Sequence, residues 1–239
     1  PPPKSKKLVA EIIVEEAIKA GVYPYFAVTV ARVESNLDPL SNKDNEKTQF
    51  KGLYQFGGRY KDEWAKYGLE WDKVHDARHA AAAFMKAIKS KARSLGISPK
   101  IISDAEGAKL YLSWQQGGCA IREISKAADK GEDINPRACG TRSNLLYNMV
   151  NNIPRDSRKP FVNDQKGIMN RGQKMFITPK QYLDLWTEKY RRFNKRIQSR
   201  YGYIVTKKSA ELENKSEREK EARARATSTA IARAGPPPA

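Results

Sequence analysis

Two apolar stripes at helical spacing, separated by one Gly-to-Pro punctuation, most restrict what this chain can fold into. Leu8, Val9, Ile12, Ile13 and Ala17 recur at the 3.6-residue period, which reads as a helix over residues 5–20 with Gly21 as its stop. Pro24 then stands at a first-turn position. Phe26, Val30 and Val33 mark one face of a second helix that ends near Glu34, in the stretch Ala31-Arg32-Val33-Glu34-Ser35-Asn36-Leu37-Asp38-Pro39. Residues 36–50 are polar and read as a surface loop. They are followed by Lys51-Gly52-Leu53-Tyr54-Gln55-Phe56-Gly57-Gly58, whose three glycines let backbone come close to another group.

The helical period continues downstream. Residues 72–92 predict an alanine-rich helix burying Ala80–Ala83, Phe84, Ala87 and Ile88. Ser103 with Glu106 forms a capping box that opens a helix through Leu110 and Trp114, ended by Gly117-Gly118. Another helix falls near 120–130. Thr141 caps one through Leu145, Leu146, Met149 and Val150, which Pro154 stops. The expected fold class is therefore all-α, with an ordered core over 5–153. Residues 154–177, rich in Pro, Asn, Asp, Lys and Gly, read as a linker or an extended arm. Thr178-Pro179-Lys180-Gln181 is a second capping box, opening a basic helical extension over 178–239. Tyr182, Leu185, Trp186, Tyr190, Phe193 and Ile197 lie on one side of it, and Lys189, Arg191, Arg192, Lys195, Arg196 and Arg200 on the other. From Lys207 the sequence is charged and Ala-rich, the composition of a solvated helix or of disorder that a partner orders.

A net charge of +18, from 45 Lys+Arg against 27 Asp+Glu, favours a polyanionic partner: nucleic acid, an anionic membrane surface or an anionic polymer. No run of 18 apolar residues marks a transmembrane helix. The start carries neither a signal peptide nor an initiator Met, so a processed product or an excerpt of a longer protein is expected. Two cysteines, Cys119 and Cys139, are too few for a disulfide framework, and whether they pair depends on the compartment. His75 and His79 share a helix face but lack a Glu after the first His, and two ligands do not make a metal site. No metal and no cofactor are expected.

Glu34 is a carboxylate at a helix end, where the macrodipole favours cations and so pushes a proton onto it. Taken alone, it reads as a solvated helix-end Glu. Downstream lie a Gly52-Leu53-Tyr54-Gln55-Phe56 turn and a helix end Ser113-Trp114-Gln115-Gln116-Gly117. In this order, with the lead-in Ala20-Gly21-Val22-Tyr23-Pro24, these features resemble the soluble, goose-type-lysozyme-like lytic transglycosylases. That family has a Glu-Ser pair, a Gly-Leu-Met-Gln turn and an Ala-Tyr-Asn-Ala-Gly helix end. The resemblance covers about residues 8–153 and implies a lysozyme-like helical domain that cleaves the β-1,4 MurNAc-GlcNAc bond of peptidoglycan.

By resemblance, Glu34 is the catalytic acid/base and Ser35 helps to orient substrate. Gln55 and the backbone around Tyr54 contact sugar. Trp114 stands for the family's Tyr and Gln115 for its Asn. A Tyr on a late helix that hydrogen-bonds the catalytic carboxylate is best matched by Tyr147. The departures are Tyr54 for Met, Ser113-Trp114-Gln115 for Ala-Tyr-Asn, and Ser143 where the family often has Glu. Asp38 and Asp44 are expected to be solvated loop carboxylates; either one facing Glu34 would allow hydrolysis instead. Domains of this kind recur in virion proteins of tailed bacteriophages, where they open the cell wall locally as DNA enters. That setting implies peptidoglycan and other virion proteins as partners and a site of action in the host envelope, the periplasm. It leaves DNA, membrane-surface contact or plain packing on the core as readings of the basic extension, and a non-catalytic virion protein as the alternative function. The oligomeric state stays open.

Overall fold

The computed structural model describes residues 5–140, Leu145, Met149, 152–153 and 177–234, with side chains described as far as residue 226. Seven helices carry these residues: α1 (Lys6–Ala20), α2 (Pro24–Ser35), α3 (Lys61–Ala65), α4 (Ala77–Ser94), α5 (Asp104–Gln116), α6 (Gly118–Lys130) and α7 (Pro179–Ala234). The fold class is all-α. The one departure among the described residues is a two-stranded hairpin, β1 (Phe50–Lys51) antiparallel to β2 (Phe56–Gly57), with Phe50 opposite Gly57 and Lys51 opposite Phe56.

The helix ends follow local chemistry. The Ser5 side chain accepts from the Leu8 N–H at the start of α1, and Gly21, in the left-handed region, returns its N–H to Ala17 and Ile18. Pro24 opens α2 and Asn36 closes it at φ 58°. The helix expected from residue 72 begins at 77 instead. Asp76 is its N-cap, accepting from the His79 N–H at 2.8 Å, while Trp71–Lys73 form a separate 3-10 turn. The Ser103–Glu106 and Thr178–Gln181 capping boxes both form. Leu145 and Met149 are helical and fully buried, whereas Thr141, Ser143 and Tyr147 lie outside the described residues.

Val9, Ile13, Phe26, Val30, Phe84, Ile88, Leu110 and Leu112 have no exposed surface and form the centre of the core. The Tyr54 ring stacks on Phe84 with centroids 3.7 Å apart and planes 5° from parallel. A pair of this kind adds roughly 0.5–1.5 kcal/mol beyond its buried area.

The first half of α7 packs on this core, beyond the ordered stretch expected to end at residue 153. Tyr182, Leu183, Trp186, Tyr190, Ile197, Tyr201 and Ile204 are buried against α1, α2, α5 and α6. Gly107 lets α5 and α7 approach, because a Cβ there would lie 2.4 Å from the Tyr190 ring. Polar contacts fix the register: Trp186 Nε1 donates to the Asn152 carbonyl at 2.9 Å, Asn194 donates to Asp104, and the Gln116 amide donates to the Tyr182 hydroxyl. Beyond Ile204 the helix runs on with mostly exposed side chains. Ion pairs one turn apart, Lys207–Glu211, Lys215–Glu219 and Glu221–Arg225, run along it. A helix that is polar all round relies on such pairs. No helix among the described residues is long and apolar enough to cross a membrane.

Candidate active site

The site is built where the end of α2, the hairpin and the end of α5 meet. Ser35 makes the first junction. Its buried hydroxyl faces two backbone carbonyls, Ala31 at 3.0 Å within its own helix and Leu53 at 2.8 Å in the hairpin turn. Ser35 thereby ties the last turn of α2, and Glu34 with it, to the turn.

The turn itself needs glycine. Gly52 has φ +73°, and a Cβ there would sit 2.4 Å from the Val74 carbonyl oxygen. Gln55 closes the turn at φ 53°, in the left-handed region that a non-glycine residue rarely adopts. Its side chain pays for this conformation locally: Nε2 donates to the Gly52 carbonyl at 2.8 Å and to Ser41 Oγ at 3.2 Å, and Oε1 accepts from Asn42 at 2.6 Å. Lys51 Nζ donates to the carbonyls of Asn42 and Asn45, so the 36–50 loop is fastened to the hairpin. Tyr54 is fully buried, with its ring on Phe84 and its hydroxyl near the Ala27 carbonyl; it has no side-chain surface to offer a sugar. Its carbonyl is also engaged, accepting from Trp114 Nε1 at 3.2 Å. Tyr54 is not among the residues that line the cleft described below.

α5 supplies the opposite wall. Its last turn is held from α4 by Lys91, whose Nζ donates to the Ser113 carbonyl at 3.2 Å; burial lowers the pKa of this amine. A cation at a helix C-terminus is favourably placed. Trp114 stands edge-on to Phe56 and Phe84, with centroids 5.4 and 4.9 Å away, and leans on Trp64 at 5.2 Å.

Between these elements lies a cleft of about 350 Å³, lined by Glu34, Phe50, Gln55, Gly57, Tyr60, Trp64, Trp114 and Gln115. Ligand clefts typically span roughly 300–1,000 Å³. Four of the expected residues, Glu34, Gln55, Trp114 and Gln115, come together there. Glu34 is the one carboxylate among the described residues of this lining. Asp38 and Asp44 are exposed outside it, and Asp38 accepts from the Leu40 N–H in a local turn. The mouth is aromatic: Phe50 is 45% and Tyr60 49% exposed. A larger open groove of about 600 Å³ runs beside Leu95, Lys109, Arg122 and Lys126, but its Glu106 is committed to the α5 capping box.

Glu34 has the electrostatics of a proton donor. Burial raises its carboxyl from 4.5 to about 7; a hydrogen bond from the Tyr111 phenol, which favours the anion, offsets only part of this. Among the described residues, Oε1 of Glu34 is buried without a hydrogen-bond partner. Tyr111 is itself buried, and burial together with the Glu34 carboxyl keeps its phenol protonated far into the alkaline range. Comparison with protein families, with curated proteins and with solved structures finds no match for this chain. The site's reading therefore rests on its own geometry.

Tyr111 stands beside Glu34; Tyr147, which the sequence assigned there, lies outside the described residues. Tyr111 is three residues before Trp114, one turn back on the same helix, and that spacing was the available signal. Phe50, Tyr60 and Trp64 were also missed, although all three fall within ten residues of the glycine-rich turn. His75 and His79 face backbone: His75 Nδ1 lies 2.9 Å from the Pro39 carbonyl, and His79 Nε2 accepts from the Glu70 N–H. No cluster of three or more His, Cys, Asp or Glu able to hold a metal occurs among the described residues. Cys119 and Cys139 form a disulfide, joining the first turn of α6 to the loop that follows it.

Proposed function

We propose that this chain is a peptidoglycan-cleaving lytic transglycosylase with Glu34 as its single acid/base. The observation that carries the reading is a mostly buried carboxyl, the one carboxylate among the described residues of an aromatic-walled cleft, with one oxygen unpartnered among those residues and the Tyr111 phenol beside it. A carboxyl whose pKa lies near 7 can give a proton and take one back near neutral pH. Most glycosidases divide this work between two carboxylates. One suffices when the substrate supplies the second group.

The reaction then runs as follows. Protonated Glu34 donates to the O4 leaving oxygen as the C1–O4 bond of MurNAc-GlcNAc breaks. The N-acetyl oxygen of MurNAc stabilises the positive charge at C1. The Glu34 carboxylate takes the proton of the MurNAc 6-hydroxyl, and O6 closes on C1 to give a 1,6-anhydro ring. No water is consumed, and Glu34 ends protonated, as it began. Trp114, Tyr60 and Trp64 offer faces and edges for sugar rings, and Gln115, exposed at the cleft, offers an amide.

The lysozyme-like domain reading and the virion setting belong to the same proposal. A disulfide persists in oxidising places such as the periplasm or a virion. In that setting the enzyme is carried in a phage particle with other virion proteins and opens the wall locally as DNA enters. A second reading, a virion protein that keeps this fold without turnover, is favoured by the structural engagement of Ser35, Tyr54 and Gln55. A zymogram on purified cell walls decides between the two: the proposal expects clearing by the wild type and none by Glu34→Gln, and an uncleared wild-type lane supports the second reading.

A further inference from the structure

The twenty residues from Lys189 to Lys208 carry eight Lys and Arg and no carboxylate. Glu188 bounds the stretch at one end and Glu211 at the other. The fold decides what these cations face. Tyr190, Ile197, Tyr201 and Ile204 turn the apolar side of α7 into the core, which leaves Arg191, Arg192, Lys195, Arg196, Arg200 and Lys207 exposed on the outside. Arg192, Arg196 and Arg200 recur every fourth residue, about 6 Å apart along the helix axis. Arg191 and Arg192 share Glu188; among the described residues no carboxylate reaches Lys195, Arg196 or Arg200. The start of α1 extends the surface: Lys6 and Lys7 are exposed, and Lys7 Nζ lies 5.6 Å from the centroid of the Tyr203 ring, itself 54% exposed.

We propose that this face of α7 is a binding surface for the phosphate backbone of double-stranded nucleic acid, read without regard to sequence. Charge density favours that partner. At 1.5 Å per residue the stretch presents about one cation per 4 Å, a density suited to a polyanion such as duplex DNA with one charge per roughly 1.7 Å. The exposed cations are mostly guanidinium groups, whose planar fork pairs with two phosphate oxygens. A lipid surface fits less well. Membrane-binding helices set large apolar side chains beside their cations, and on α7 the large aliphatic side chains face the core. The surface lies on the outside of α7 and shares no residue with the Glu34 cleft, so it stands independently of the catalytic reading.

The test compares the full chain with its K195Q/R196Q/R200Q variant on two unrelated 30-base-pair duplexes over a salt series, with phosphatidylglycerol vesicles as a separate arm. The expected result is equal affinity for both duplexes, falling steeply with salt. The variant should bind at least about tenfold more weakly at low salt, with its log–log salt slope shallower by about 2.7 for three lost phosphate contacts. Thermal unfolding of the variant at the midpoint of the unmodified chain serves as the control for its fold. Absence of salt-dependent duplex binding, an unchanged slope in the variant, or vesicle binding that depends on these residues in a chain that ignores DNA would each overturn the proposal.

Discussion

The Tyr111 phenol stands beside the Glu34 carboxyl, on the helix that also carries Trp114 and Gln115. One side chain thus links the acid at the end of α2 to the α5 wall of the cleft. The phenol favours the anion, and burial favours the acid by more.

Replacing Tyr111 with Phe removes the term that lowers the Glu34 pKa, so the pKa should rise further above about 7. Because the neutral acid is the donor, the alkaline limb of the pH–rate profile should move to higher pH while the maximal rate falls. Wall clearing measured from pH 5 to 9 checks this; a limb that stays put or moves to lower pH contradicts it.

The buried carboxyl also affects stability. Its folded pKa, about 7, lies above the ordinary 4.5, so between these values the folded state binds the extra proton and stability falls as pH rises. The loss is complete above pH 7 and amounts to at most about 3 kcal/mol. Glu34→Gln removes the titration, so in urea melts the variant should gain on wild type at pH 8 by up to about 3 kcal/mol more than at pH 4.5.

Gly52→Ala should be costly in itself. Its φ of +73° disfavours any L side chain by about 1–2 kcal/mol, and the added methyl meets the Val74 carbonyl oxygen. A loss of at least about 2 kcal/mol in denaturant melts is expected, with weaker wall clearing because the turn anchors Ser35.

Trp186→Ala tests whether α7 is structural. The ring is buried 5.4 Å from Tyr111, and its Nε1 is bonded to Asn152. Truncating a buried Trp costs about 3–5 kcal/mol. A separate, dispensable extension would show almost none of that loss in thermal or denaturant unfolding.

Reduction of Cys119–Cys139 should lower stability by about 3 kcal/mol, since the bridge closes a loop between residues 20 apart in sequence. Melts with and without reductant, against a Cys119→Ser/Cys139→Ser variant that should not respond, check it.

The helices were legible in the sequence because their signals are local. Ser103 with Glu106, Thr178 with Gln181, Gly21 and Pro24 each act within a turn of the end they define. Glu34, Gln55, Trp114 and Gln115 were found because their order along the chain is distinctive. What the sequence did not reveal depends on contacts across the fold. Tyr54 beside Gln55 looks like a cleft residue until Phe84, thirty positions away, takes its ring. The hydrogen bond from Ser35 to the Leu53 carbonyl, eighteen positions away, is likewise invisible in the sequence. Whether the apolar side of α7 met the core or a partner could not be read from an amphipathic pattern, which is the same in both cases.

The masses of muropeptides released from purified peptidoglycan test the central claim most directly. The account predicts 1,6-anhydro ends from the wild type and no release by Glu34→Gln. Products with reducing ends, one water heavier, would contradict the single-carboxyl mechanism, and release by Glu34→Gln at the wild-type rate would contradict the site itself.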